Sequence, residues 1–150
     1  MKKAFTMVEL IFVIVILGIL AAVAVPKMGS SKTNAEVAKA RTDVASIRSS
    51  IMTERQSQLI KGVNTFIDKL SADESLLFTG NGDGRELLTY GIVAGTSSGK
   101  WSKKADEEEY YFHVDSKSIT FTYDNATGKL TCDRGDGTTD EQKICRKIVD

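Results

Sequence analysis

The sequence predicts an α+β fold: a long N-terminal helix, membrane-spanning in its first half and amphipathic in its second, packed on a small antiparallel sheet of three to four strands. Apolar residues are concentrated at one end of the chain. The other end holds short β-branched and aromatic segments separated by turn residues. The 150 residues fit one domain of typical size, and 20 basic side chains balance 20 acidic ones. A balanced chain offers no basic stripe for direct nucleic-acid binding.

Residues 5–25 read FTMVELIFVIVILGILAAVAV, with Glu9 as the single charge, and Pro26 follows at once. At about 1.5 Å per residue a helix of that length reaches roughly 32 Å, enough to cross a hydrocarbon core. Lys2 and Lys3 precede it, so the positive-inside rule keeps the N-terminus cytoplasmic and sends the chain beyond Pro26 to the other side. Glu9 is the anomaly, because a carboxylate costs about 2.5–3.5 kcal/mol at a bilayer centre and less near an interface. A secretory signal cut after Ala24, at the A-x-A site Ala22-Val23-Ala24, gains nothing from it. A plain uncut anchor gives no reason for it either. Glu9 requires a partner.

The run Ala4-Phe5-Thr6-Met7-Val8-Glu9-Leu10, continued by the apolar residues up to Pro26, resembles the N-terminus of the type IV pilins and of the pseudopilins of type II secretion and DNA-uptake machines. In that family a short basic leader is removed before a phenylalanine whose new amine is methylated, and a glutamate stands four residues further on. The resemblance implies a leader at 1–4, cleavage by a prepilin peptidase between Ala4 and Phe5, a transmembrane and polymerisation helix at 5–26, and an extracytoplasmic head at 27–150. Ala4 departs from the family's usual glycine and is the mildest replacement for it. Cleavage would create an ammonium at Phe5, and in a filament the amine of a neighbouring subunit would pair with Glu9 and fix the axial offset between subunits. Gly18, Ala21 and Ala22 allow close helix approach or are simply tolerated there. The resemblance further implies a homo-oligomeric filament with minor pilin-like subunits, an inner-membrane assembly platform and an ATPase. The subunit would be a single-pass inner-membrane protein with a periplasmic head, its filament in the periplasm or at the cell surface.

Pro26 is expected to kink or locally melt the helix near Val25, and the polar residues 27–32 to be flexible before a helix resumes at Asn34. Ala40, Val44, Ile47 and Ile51 then recur at helical spacing, which predicts an amphipathic helix over 34–61. Residues 87–93, 109–114 and 118–123 read as strands. In the last two, Tyr110, Phe112 and Val114 share one face, as do Ile119, Phe121 and Tyr123, giving a hairpin about an Asp115-Ser116-Lys117 turn. A short strand over 129–132 follows the turn 125–128. Residues 67–78 read as a short helix or packed loop, and residues 80–84 as a glycine turn. Trp101 reads as a partial core residue and residues 106–109 as an exposed acidic loop.

Cys132 and Cys145 fall in the segment placed outside the cytoplasm, where a disulfide is favoured over free thiols, and the family resemblance implies a C-terminal disulfide loop as well. A metal site at the cysteines lacks further ligands. No cofactor is expected; calcium is the candidate weighed, since Asp133, Asp136, Asp140 and Glu141 in that loop could collect it or form a solvated acidic loop, while Asn81 and Asp83 imitate the start of a calcium loop that Arg85 and Glu86 do not continue. An enzyme is not expected, because no nucleophile elbow, phosphate-cradling loop or histidine pair is present, and lone His113 sits in a strand. The different-class alternative is a secreted soluble binding domain released by cleavage after Ala24.

Overall fold

Helix α1 (Met7–Ile60) has a capped start and a glycine stop. Thr6 stands at its N-cap, and at the other end Gly62 takes a φ of 81°. There Val63 N–H bonds Gln58 O at 2.9 Å and Gly62 N–H bonds Leu59 O at 3.0 Å, a paired termination that needs a residue free to adopt the left-handed conformation. The computed structural model describes residues 5–104 and 108–150, with the backbone alone at 24–28 and 30. Ala4, Asp106 and Glu107 therefore lie outside the described residues. The chain forms two compact units, Met1–Ala35 and Glu36–Asp150, and α1 contributes to both.

The helix runs through Pro26 and through residues 27–32, so the expected local melting and the restart at Asn34 are corrected. A proline removes one intrahelical donor while its φ still suits a helix, and Gly29 costs only about 1 kcal/mol relative to alanine. Long helical segments on both sides carry the run across.

In the second unit, Ala40, Val44, Ile47 and Ile51 are fully buried, as their spacing predicts. They are covered by a four-stranded antiparallel meander of β3 (Trp101–Lys103), β4 (Glu109–Val114), β5 (Lys117–Asp124) and β6 (Lys129–Cys132), in that spatial order. The hairpin β4–β5 pairs Tyr110 with Phe121 and Phe112 with Ile119, all facing the core. Its turn is shorter than expected, with Lys117 already paired to Val114 and Asp115 at a φ of 53°. Trp101 is wholly buried rather than partly so. Its ring lies 5.0 Å from Phe112, 5.1 Å from Phe121 and 5.4 Å from Phe78, and its indole N–H donates to Asp43 Oδ2 at 2.9 Å. The indole thus fills the space between helix and sheet while satisfying its one donor.

Residues 67–78 form a packed loop whose end, β1 (Leu76–Leu77), pairs with β2 (Ile92–Val93). The strand expected over 87–93 shrinks to β2. Leu87 and Leu88 instead bond the carbonyls of Thr79 and Phe78 at 3.2 and 3.0 Å, and Gly91 sits where a Cβ would clash with Leu76, Leu77 and Thr79. A part-buried ion pair holds this region to α1. Arg85 meets Glu54 bidentately at 2.7 and 2.8 Å and also donates to the carbonyls of Phe66 and Thr65 at 3.0 Å each. Glu108, expected in an exposed loop, is drawn inward. It accepts from Leu70 N–H and from Tyr110 Oη, and pairs with Lys103 at 3.4 Å.

A second helix, α2 (Asp140–Val149), was not expected from the pattern. Thr139 and Gln142 form a capping box at its start, and Arg41 of α1 donates to Lys147 O near its end. Cys145 and Ile148 are its buried residues.

Removing Glu54 leaves the part-buried Arg85 guanidinium with only its carbonyl and hydroxyl partners, so Glu54→Ala lowers folding stability by about 1–3 kcal/mol. Denaturant melts check this, and replacing both residues by apolar ones of similar volume recovers much of the loss. His113 bridges Ser102 Oγ at 2.8 Å and Ser118 Oγ at 2.9 Å, and burial lowers its pKa. The unfolded chain therefore takes up that proton first, and stability declines as pH falls below about 6.5. Melts between pH 8 and 5 show a shallower slope for His113→Gln.

Candidate functional site

The N-terminal segment begins with a reciprocal cap. Thr6 N–H and Thr6 Oγ1 both donate to Glu9 Oε2 at 2.9 Å, while Glu9 N–H donates to Thr6 Oγ1 at 3.2 Å. This Thr-x-x-Glu box satisfies donors that every helix start leaves open, and it places the carboxylate beside the positive end of the helix dipole. Glu9 was expected to need a partner, the ammonium that cleavage would create at Phe5 or that of a neighbouring subunit; within the chain, Thr6 three residues away also serves. The signal was present in the sequence as Thr6 followed three positions later by glutamate before an apolar run. Both donated bonds fall on Oε2, so Oε1 takes part in neither.

From Phe5 onward the segment displays its apolar side chains. Phe5 is 84% exposed, Met7 78% and Val8 75%, and large apolar residues remain exposed through Val23. A Cβ added at Gly18 would meet nothing within 4 Å, so a facing helix could approach closely there. The surface is one that water solvates poorly, with a single carboxylate fixed in the first turn. Among the described residues no helix is long and apolar enough to cross a membrane. The apolar run described with its side chains ends at Val23, whereas the sequence continues it to Val25.

At the other end of the chain Cys132 and Cys145 form a disulfide with their Cα atoms 6.0 Å apart, closing the loop between β6 and α2. Arg146 fastens the loop by donating to Arg134 O at 3.0 Å and Gly135 O at 2.7 Å. The calcium candidates do not converge. Asp133 accepts from Gly135 N–H at 2.8 Å and Gln142 Nε2 at 3.2 Å. Asp136 accepts from Thr138, and Asp140 pairs with Lys117 and Lys143. The hydrogen bonds from Thr138 hold the Asp136 carboxyl below its usual range, and those from Lys117 do the same for Asp140. Asn81 Oδ1 likewise accepts from Asp83 N–H at 2.9 Å in a side-chain turn. Among the described residues no group of three or more acidic, histidine or cysteine side chains is arranged to hold a metal ion.

The long capped helix displays an apolar segment in its first half and packs on the antiparallel sheet in its second. Residues 1–25 match the prokaryotic N-terminal methylation motif. A fimbrial protein of Moraxella nonliquefaciens is 43% identical to the chain over 56 residues, which cover 37% of this chain and 36% of that protein. The chain thus spans about a third of the length of the curated relative it matches. No solved structure matches it.

The disulfide closes a loop of 13 residues and is expected to contribute about 3 kcal/mol. Cys132→Ser therefore lowers the melting temperature under oxidising conditions and leaves it unchanged, relative to the parent chain, once both are reduced.

Proposed function

We propose that this chain is the structural subunit of a type IV pilus-like or type II secretion pseudopilus filament. A prepilin peptidase cuts it between Ala4 and Phe5, and it assembles through the helix over 5–25. The observation that carries this reading is the apolar surface from Phe5 to Val23, broken only by a carboxylate locked in the first helical turn. Cutting after Ala4 leaves Thr6 and Glu9 together, so the cap survives processing. Cutting after Ala24 discards it along with the exposed segment. The fimbrial relative and the methylation motif support the same reading.

Before assembly the residues 5–25 rest in the inner membrane with the head on the periplasmic side, where apolar side chains meet lipid and the capped carboxylate lies near the interface. On leaving the bilayer, the same side chains bury against those of neighbouring subunits. The Oε1 of Glu9 accepts from the ammonium at Phe5 of a neighbour, while Oε2 stays with Thr6. A pair so placed loses much of its desolvation cost only in register, which sets the axial step between subunits. Minor pilin-like subunits, a membrane platform protein and an ATPase act with it, and growth of the filament moves cargo in protein secretion or DNA uptake.

The mass and N-terminal sequence of the protein from its native membrane fraction test the processing step. A methylated Phe5 is expected. A start at Val25 would mean a secreted soluble domain, and a start at Met1 a plain anchor. Glu9→Gln separates charge from capping, because glutamine also completes a capping box. Insertion is unchanged in this variant and sedimentable filaments are lost; filaments at the parental level would reduce Glu9 to a helix cap.

A further inference from the structure

The geometry points to a second subunit contact, between heads: an acidic apolar knob on one edge of the sheet docks into a basic apolar groove on the opposite edge of a second copy of this chain. The contact rests on the filament reading above and extends it to the surface of the head.

The groove lies between α1 and the edge strand β6. Arg48, Met52, Gly128, Lys129, Leu130 and Thr131 line a space of about 260 Å³, most of its lining surface apolar. Leu130 is buried at its floor, and Met52 is 47% exposed beside it. Arg48 donates through Nε and Nη2 to Leu130 O at 3.2 and 2.8 Å, which closes the edge of β6 to further strand pairing. Arg134 is close enough to Arg48 to push its pKa down, behind the larger effect of burial, so like charge gathers here. Among the described residues no carboxylate forms an ion pair with Arg48 or Lys129. Asp124, across the ladder from Lys129, is bonded to Thr127 and Ala126 N–H and feels Lys129 only as a weaker electrostatic neighbour.

The knob is the outer face of the β1–β2 pair. Leu76 and Val93 are cross-strand partners, 39% and 67% exposed. Glu74, two residues before Leu76, is exposed and has no ion-pair partner among the described residues. Asp73 beside it carries a second exposed carboxylate. Strand β2 leads through Ala94 to Gly95, whose N–H bonds Trp101 O in β3 at 2.8 Å. The knob therefore adjoins the β3 edge of the meander, and the groove adjoins its β6 edge.

One head thus offers exposed leucine and valine beside exposed acid at one edge, and an apolar hollow flanked by base that forms no ion pair among the described residues at the other. The two surfaces share no residue, so their contact is heterologous, the kind that repeats head to tail and generates helical filaments. Charge complementarity selects another copy of the chain as the occupant, since each copy carries both halves.

The experiment uses full-length protein assembled into filaments from mixed light and isotopically heavy subunits, treated with a zero-length carbodiimide. A Glu74–Lys129 amide joining light to heavy peptides is expected. Glu74→Lys and Lys129→Glu each lower sedimentable filament roughly fivefold, the factor for about 1 kcal/mol per contact, and the double swap restores it. Head melting temperatures stay at the parental value, because both side chains are exposed. Filaments that form without the cross-link and ignore both charge reversals overturn this contact and leave the filament reading standing. A cross-link from Lys129 to a different protein also overturns it. Parent chains that form no filament at all overturn both readings.

Discussion

The second unit depends on one constraint: the stripe Ala40, Val44, Ile47 and Ile51 on α1 must be kept from water, and the inner face of the meander, with the buried residues of the 67–78 loop and α2, does it. A helix exposing four such residues gains little from its own hydrogen bonds, and fully burying each larger aliphatic side chain is worth about 1.5–3 kcal/mol. Everything nearby serves that cover. Tyr110, Phe112, Ile119 and Phe121 supply the opposing surface, and Trp101 fills the remaining gap while its indole N–H finds Asp43 on the same helix. Phe78 reaches this cluster although its backbone sits at a φ of 63°, a conformation that only firm packing sustains.

The elements legible in the sequence are those whose side-chain period is set by that cover. The helix stripe and the β4–β5 hairpin repeat with periods of about 3.6 and 2, and each lies where its pattern places it. The loop between them was not legible because its order comes from contacts distant in the chain. Arg85 finds Glu54, and Glu108 finds Leu70 and Lys103, pairs that local pattern cannot announce. Strand β3 is too short to show alternation, and α2 announced itself only through Thr139 and Gln142. At the candidate site the apolar run and its one carboxylate are plain in the sequence, whereas the Thr6–Glu9 box is a short-range hydrogen-bond pattern that the charge alone does not announce.

That carboxylate has two uses that do not compete. As a cap it needs one oxygen and the hydroxyl and N–H of Thr6; as the proposed ion pair it needs the other oxygen and a charge from outside. The cap also narrows the rotamers of Glu9 before assembly, so less side-chain entropy remains to be lost when a neighbour arrives. Preorganisation of this kind favours a single register.

The C-terminal loop is tied down at main-chain atoms. Arg146 holds the carbonyls of Arg134 and Gly135, Arg41 holds that of Lys147, Arg48 holds that of Leu130, and the disulfide closes the ring. Carbonyl oxygens are the same whatever side chain they accompany. The loop can therefore exchange its outward side chains without loosening its anchors, so sequence change there costs the fold little.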